Sequence, residues 1–203
     1  MKKIILILSV ALMSVAAFAQ TTNSAPAATD QVEAKYTRAI EGRTADILKV
    51  LNLSDSNKVV AVHDIVIAQY RALNAWHSEN DAKLKAARSD TNVVAQIHAS
   101  LITLHNDFLS KLAENLTPEQ IEQVKDKMTY GKVQFTFAGY VSQYPNLSDE
   151  NKKEILRLLK EAREQAMDGG SAAEKTAIFQ RYKGKINNYL SKQNLHLEKT
   201  TAQ

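Results

Sequence analysis

Apolar residues recur at intervals of three and four along nearly the whole chain, and that spacing predicts helices, not strands. Val32, Tyr36, Ile40, Ile47 and Leu51 form one stripe, which predicts a first helix over Asp30–Leu51. A second begins after Ser54, carries Val59, Val62, Val66, Tyr70 and Leu73, and ends in the charged stretch Asp81–Arg88. A third runs from Thr91 with Val94, Ile97, Leu101, Leu104, Phe108 and Leu112 as its stripe. Such stripes bury themselves by packing on one another. Thr117, Pro118 and Gln120 together start a fourth helix: a hydroxyl cap, proline at the first helical position and an amide three residues on. Gly131 breaks it.

Phe135, Phe137, Tyr140 and Tyr144 predict a short, mostly buried segment that Pro145 stops. A sixth helix follows from Ser148 to Asp168 with Ile155, Leu159, Ala162 and Ala166 inward. On its outer face Arg157 is expected to pair with Glu161, and Lys160 with Glu164. The stretch "MDGGSAAEK" (167–175) reads as a stop and a restart. Gly169 or Gly170 would take the left-handed conformation, and Ser171 with Glu174 would form a capping box. A phosphate loop would need a preceding strand and a Gly-Lys-Ser/Thr ending, and neither is present. The expectation is an all-α single domain of six to seven helices over residues 30–193, in bundle-like or orthogonal packing.

The ends of the chain differ from this body. "MKKIILILSVALMSVAAFAQ" has the charged start, apolar run and Ala-Phe-Ala site of a secretory signal, predicting cleavage after residue 19. Residues 20–29 read as a flexible leader and 194–203 as a frayed tail. The mature protein is therefore expected in the periplasm or outside the cell, without a membrane span. The chain has no cysteine, which excludes lipid attachment, disulfides and thiolate zinc sites. Its formal charge of +4 loses Lys2 and Lys3 with the signal and becomes +2. That balance gives no reason to expect nucleic acid. Nothing in the sequence calls for a metal or an organic cofactor, and nothing sets an oligomeric state.

Leu53-Ser54-x-x-Asn57, Leu116-Thr117-x-x-Gln120 and Leu147-Ser148-x-x-Asn151 repeat one pattern. Helix starts are built this way. The pattern also resembles small exported helical chaperones with a Leu-Thr-x-x-Gln motif, which would imply an exported protein client. The segments "VKDKMTY" (124–130), "EAREQAMDGGSAAEK" (161–175), "YKGKINNYL" (182–190) and "YRALNAWHSEND" (70–81) resemble a family of secreted bacterial proteins of unknown function. That resemblance implies export by glycan-degrading Gram-negative bacteria and a glycan-related role. It supplies no chemistry.

Two constellations carry candidate chemistry. His63, Tyr70 and His77 recur at intervals of seven, and Asn74 and Asp81 fill the same face. His77 and Asp81 have a spacing that suits a shared metal, yet two ligands make no site, and hydrogen bonds between helices explain the stripe equally well. His98 and His105 read as packing residues. The final helix sets Lys175, Arg181, Lys183, Lys185 and Lys192 against Glu174, with Tyr182, Tyr189, Asn187 and Asn188 between them. Cations, aromatic faces and amides suit a sugar acid, and a solvated basic face is the alternative. Lys125, Arg163, Glu164 and Asp168 are candidates for a cleft wall. The leading reading is a non-catalytic binder of a glycan or a protein partner. The alternative is an enzyme acting on acidic glycans with Tyr70, His77, Tyr130 and Arg163 as its catalytic set.

Overall fold

The computed structural model describes residues 28–195. The predicted signal, nearly all of the leader and the tail beyond Leu195 lie outside them. The described chain is all-α: α1 (Ala28–Leu51), α2 (Ser56–Ala86), α3 (Thr91–Ala113), α4 (Pro118–Met128), α5 (Lys132–Gln143), α6 (Asp149–Met167) and α7 (Ala172–Lys192). No helix among the described residues is long and apolar enough to cross a membrane.

Two cores meet at α6. Ile40 and Ile47 of α1, Val62 and Val66 of α2, Phe108 and Leu112 of α3 and Val124 of α4 close the first, joined by Met167 from the end of α6. Tyr140 of α5, Leu159 and Ala166 of α6, and Phe179 and Ile186 of α7 close the second. The stripe of α3 is buried only at Phe108 and Leu112, because its first half leans on α2 and remains half-open elsewhere. The aromatic run also divides. α5 turns Val133, Thr136 and Tyr140 inward at spacings of three and four. Phe135 falls on the opposite side and is 81% exposed, contrary to the expectation of a mostly buried segment.

Helix ends follow three different solutions where the sequence shows one pattern. Thr117 and Gln120 form the full reciprocal capping box. Ser148 accepts from Asn151 N at 3.2 Å, while the Asn151 side chain accepts from the Tyr189 hydroxyl. Before α2 the cap is Asp55 and not Ser54, since the Asp55 carboxylate reaches Asn57 N at 2.9 Å. Helix capping thus occupies the hydroxyl or carboxylate at all three sites.

Arg157 bonds to Glu161 as expected. Lys160 does not pair with Glu164; it reaches across to Glu122 at 3.5 Å, because Glu164 is drawn inward by Lys125 at 2.9 Å.

Candidate functional site

The corner between α6 and α7 sets the geometry. Neither glycine of "MDGGSAAEK" is left-handed, and Asp168 closes α6 in an ordinary helical conformation. Both glycines are needed for space instead. A Cβ on Gly170 would stand 2.7 Å from the His77 ring, and one on Gly169 would stand 3.1 Å from Lys175 Cγ. His77 Nε2 donates to the Asp168 carbonyl at 2.7 Å, and Nδ1 lies 2.9 Å from the Asp81 carboxylate. Acceptors on both sides favour the protonated ring. Burial opposes that charge, but the two hydrogen bonds outweigh it and raise the pKa. His77 therefore clamps α2 onto the corner. Ser171 caps α7 through Glu174 N at 3.1 Å, and the Glu174 carboxylate returns to Gly170 N, one residue earlier than a capping box requires.

Beside this clamp lies a small cavity of about 70 Å³, lined by Tyr36, Arg43, Tyr70, Asn74, Tyr130 and Lys175 among others. α1 contributes Tyr36 and Arg43, two turns apart. α2 contributes Tyr70 and Asn74, one turn apart. The Tyr36 hydroxyl donates to the Tyr70 carbonyl at 2.7 Å, and Arg43 sits 5.8 Å from the centre of the Tyr70 ring. Burial pushes the Tyr70 phenol up to about 12, so it stays protonated through the neutral range.

Lys175 comes from the first turns of α7 and is 6% exposed. Its Nζ donates to the carbonyls of Met167 at 3.0 Å and Met128 at 3.3 Å, the last residues of α6 and α4. One amine thus closes two helix C-termini, where a cation is favoured. Among the described residues no carboxylate forms an ion pair with it. Burial is the main reason its pKa falls to about 8; the Asp168 and Glu174 charges oppose the fall and the Arg43 charge adds to it.

The fourth wall is a strained turn. Gly131 N bonds to Asp126 O at 2.8 Å and Tyr130 N to Lys127 O at 3.1 Å, the two bonds of a Schellman motif. The position that favours glycine is held by Tyr130 at φ 60°, with Gly131 following at φ 63°. Among the described residues the other two non-glycine residues in this region, Asn52 and Asn194, are asparagines, which tolerate it. The Tyr130 side chain is 49% exposed. Arg43 and Tyr130 also line a neighbouring open groove of about 530 Å³, with Asp46 and Val50 of α1, Gln123, Asp126 and Lys127 of α4, and Gln134 of α5.

The family model for a protein of unknown function, DUF3826, matches residues 37–203. The chain belongs to that family. No curated protein matches it. The matched region carries Arg43, Tyr70, Asn74, Tyr130 and Lys175, while Tyr36 lies one residue before it.

The structure distributes the other candidates of this family member over four places. Tyr70, Asn74 and Tyr130 meet in the cavity. His77 and Asp81 stand behind it in the clamp. Arg163, 2% exposed, lies in an ion-pair network, with Nη1 2.6 Å from Asp126 and Nη2 2.7 Å from Glu122. Lys125 and His105 join through Glu164, and Asp168 accepts from His105 Nδ1. Lys125, Arg163, Glu164 and Asp168 do come together in one ion-pair network; of the four only Asp168 also lines a surface groove, one of about 630 Å³ with His98, Gln165 and Arg181. Two hydrogen bonds, to Asp168 first and Glu164 second, raise His105 to about 9. Burial would raise Glu164, but His105 and Lys125 outweigh it and hold the carboxyl near 2.

The fourth place is α7. Tyr140 donates to Asn187 at 2.8 Å, and both line a surface groove of about 440 Å³ with Lys183. Tyr189 donates to Asn151, and Asn188 is exposed. This groove shares no residue with the tyrosine cavity. The four residues of the enzyme alternative are therefore not one constellation: Tyr70 and Tyr130 converge, His77 serves the corner and Arg163 serves the network. Sequence reasoning missed Tyr36 and Arg43 as site residues, and it counted Lys175 only among the cations of a basic helix. The signal for Lys175 was present, since it shares a stripe with Ile178, Phe179, Tyr182 and Ile186 at spacings of three and four.

Proposed function

We propose that this protein is an exported, non-catalytic binder of acidic carbohydrate, which it holds in the groove running from Lys127 and Tyr130 to the cavity at Lys175. The observation that carries the reading is Tyr130. A bulky aromatic residue in a left-handed position costs about 1 kcal/mol or more, and such strain gathers at ligand sites. The ring it positions stands half in solvent at the mouth of a groove of about 530 Å³, within the size range of ligand pockets. Tyrosine faces suit pyranose rings, Asn74 and Gln123 suit hydroxyls, and Arg43 suits a carboxylate. The signal-like segment at residues 1–19 supports export.

Titration calorimetry with oligogalacturonate tests the binding. Tyr130→Asn keeps a residue that accepts the turn and removes the ring, so affinity should fall at least tenfold while the melting temperature holds or rises. Arg43→Gln should weaken binding in a salt-dependent way. No heat above that of a neutral oligosaccharide would refute the reading. Export is tested separately, by sequencing the protein from a periplasmic fraction: the expected first residue is Gln20, and a retained Met1 would refute it.

A further inference from the structure

We propose that Lys175 is a carbonyl-capturing amine, which forms a reversible imine with a ligand that carries both a carbonyl and a carboxylate, such as the open-chain end of an acidic sugar. This rests on the groove reading and names what happens at its closed end.

The geometry is that of an amine kept available. Lys175 is buried, faces a cavity lined by Arg43 and three tyrosines, and has two backbone carbonyls as its hydrogen-bond partners. A neutral amine has two N–H groups, and Met128 O and Met167 O account for both. Its lone pair is then left without a competing donor among those partners. No carboxylate forms a direct ion pair with it among the described residues; Asp168 and Glu174 act on it from a distance and favour its charge, while burial first and Arg43 second disfavour it. A value of about 8 in place of 10.5 gives roughly 300 times more free amine near neutral pH than a surface lysine holds. Lysines activated this way, by desolvation and a neighbouring cation, are the ones that form Schiff bases.

The cavity of about 70 Å³ is too small for a sugar ring but admits a carbonyl end group, with the remainder of the ligand in the groove beyond Tyr130. The Nζ lone pair forms the new C–N bond, and the carbonyl π pair passes to oxygen, which takes a proton. Nitrogen releases one proton, the resulting hydroxyl leaves as water after protonation, and the C=N bond closes. No oxidant or reductant takes part. Tyr70, held in its phenol form, is the cavity's standing proton donor. A protonated imine keeps a single N–H, enough for one of the two helix ends and not for both.

The test uses the wild-type chain, because Lys175 closes two helices and its replacement endangers the fold. The protein is incubated at neutral pH with limiting glyoxylate and cyanoborohydride, which traps an imine as a carboxymethyl amine, and every lysine is quantified by peptide mapping. The expected result is Lys175 labelled at least tenfold above Lys127, the exposed lysine on the same groove. Borohydride-reduced oligogalacturonate, which has no aldehyde, should suppress the label at Lys175 and leave it elsewhere. Labelling at Lys175 no greater than at Lys127 overturns the proposal. The groove reading is judged apart, by calorimetry with the reduced oligomer. Binding without Lys175 labelling removes the imine alone. Strong Lys175 labelling with no oligomer binding keeps the amine and removes the carbohydrate.

Discussion

Gly170→Ala tests the central corner most directly. The added methyl would stand 2.7 Å from His77 Cγ and 2.8 Å from Cδ2. Carbon atoms rest about 3.5–4.0 Å apart, so the ring must retreat by the better part of an ångström. It cannot retreat without loss, because Nε2 and Nδ1 are held at 2.7 and 2.9 Å by Asp168 and Asp81. Overpacking costs about 1–3 kcal/mol, and a weakened charge-assisted hydrogen bond about 1.5–3. Because the bond is stretched and only part of its worth is lost, the expected total is about 2–4 kcal/mol, or roughly 6–12 °C in melting temperature for a chain of this size. Urea unfolding of Gly170→Ala, His77→Ala and the double variant measures it. Removing the ring opens the space the methyl needs, so the double variant should be more stable than the sum predicts by about 1 kcal/mol or more. Gly169→Ala is the companion control. It meets the flexible Lys175 Cγ at 3.1 Å and should cost less. If Gly170→Ala lies within about 0.5 kcal/mol of the parent, or simply adds to His77→Ala, the close-approach argument is wrong.

Three further outcomes are expected. His105, raised to about 9 by Asp168 and Glu164, binds its proton more tightly folded than unfolded. Its contribution of about 2–3 kcal/mol is complete below pH ~6.5 and fades as pH rises through ~9. The stability gap between wild type and His105→Gln should close over that window. Lys175 acts in the opposite sense above pH ~8 but cancels between the two proteins, so a flat gap would refute the assignment. Arg163→Ala leaves Glu122, Asp126 and Glu164 without their shared buried cation and should cost about 3 kcal/mol. Lysine, a point charge lacking the fork, should restore less than half, and full rescue in urea unfolding would contradict the bidentate role. Tyr130→Gly removes left-handed strain and should raise stability by about 1 kcal/mol while weakening oligogalacturonate binding; a destabilised variant would show that the turn carries no strain.

The helices were legible because each bears an apolar stripe at a period no strand shares, and their caps follow from hydroxyl and amide spacing. What the stripes also contain was read less well. Arg163 lies four residues after Leu159 and three before Ala166, and Lys175 lies three before Ile178, so both are inward positions. A charge on an inward position invites reading as a surface pair or a basic face. Only the partners show otherwise, and those come from α4 and the end of α6. The corner was placed correctly and explained wrongly, since a glycine needed for close approach looks in one dimension like a glycine needed for handedness. His77, almost a hundred residues away, supplies the difference. Tyr130 carried no signal at all: it stands immediately before Gly131, and nothing local says that the left-handed geometry begins one residue early.

That early turn has a consequence for how the protein would respond to selection. Populations of variants screened only for survival on heating should lose Tyr130 early, because many paths lead from a strained aromatic residue to glycine or asparagine and each is a gain. Populations screened for retention of ligand should keep it at the expense of heat tolerance. The frequency of tyrosine at one codon would then separate the two pressures, reporting function in a lineage without an assay of function.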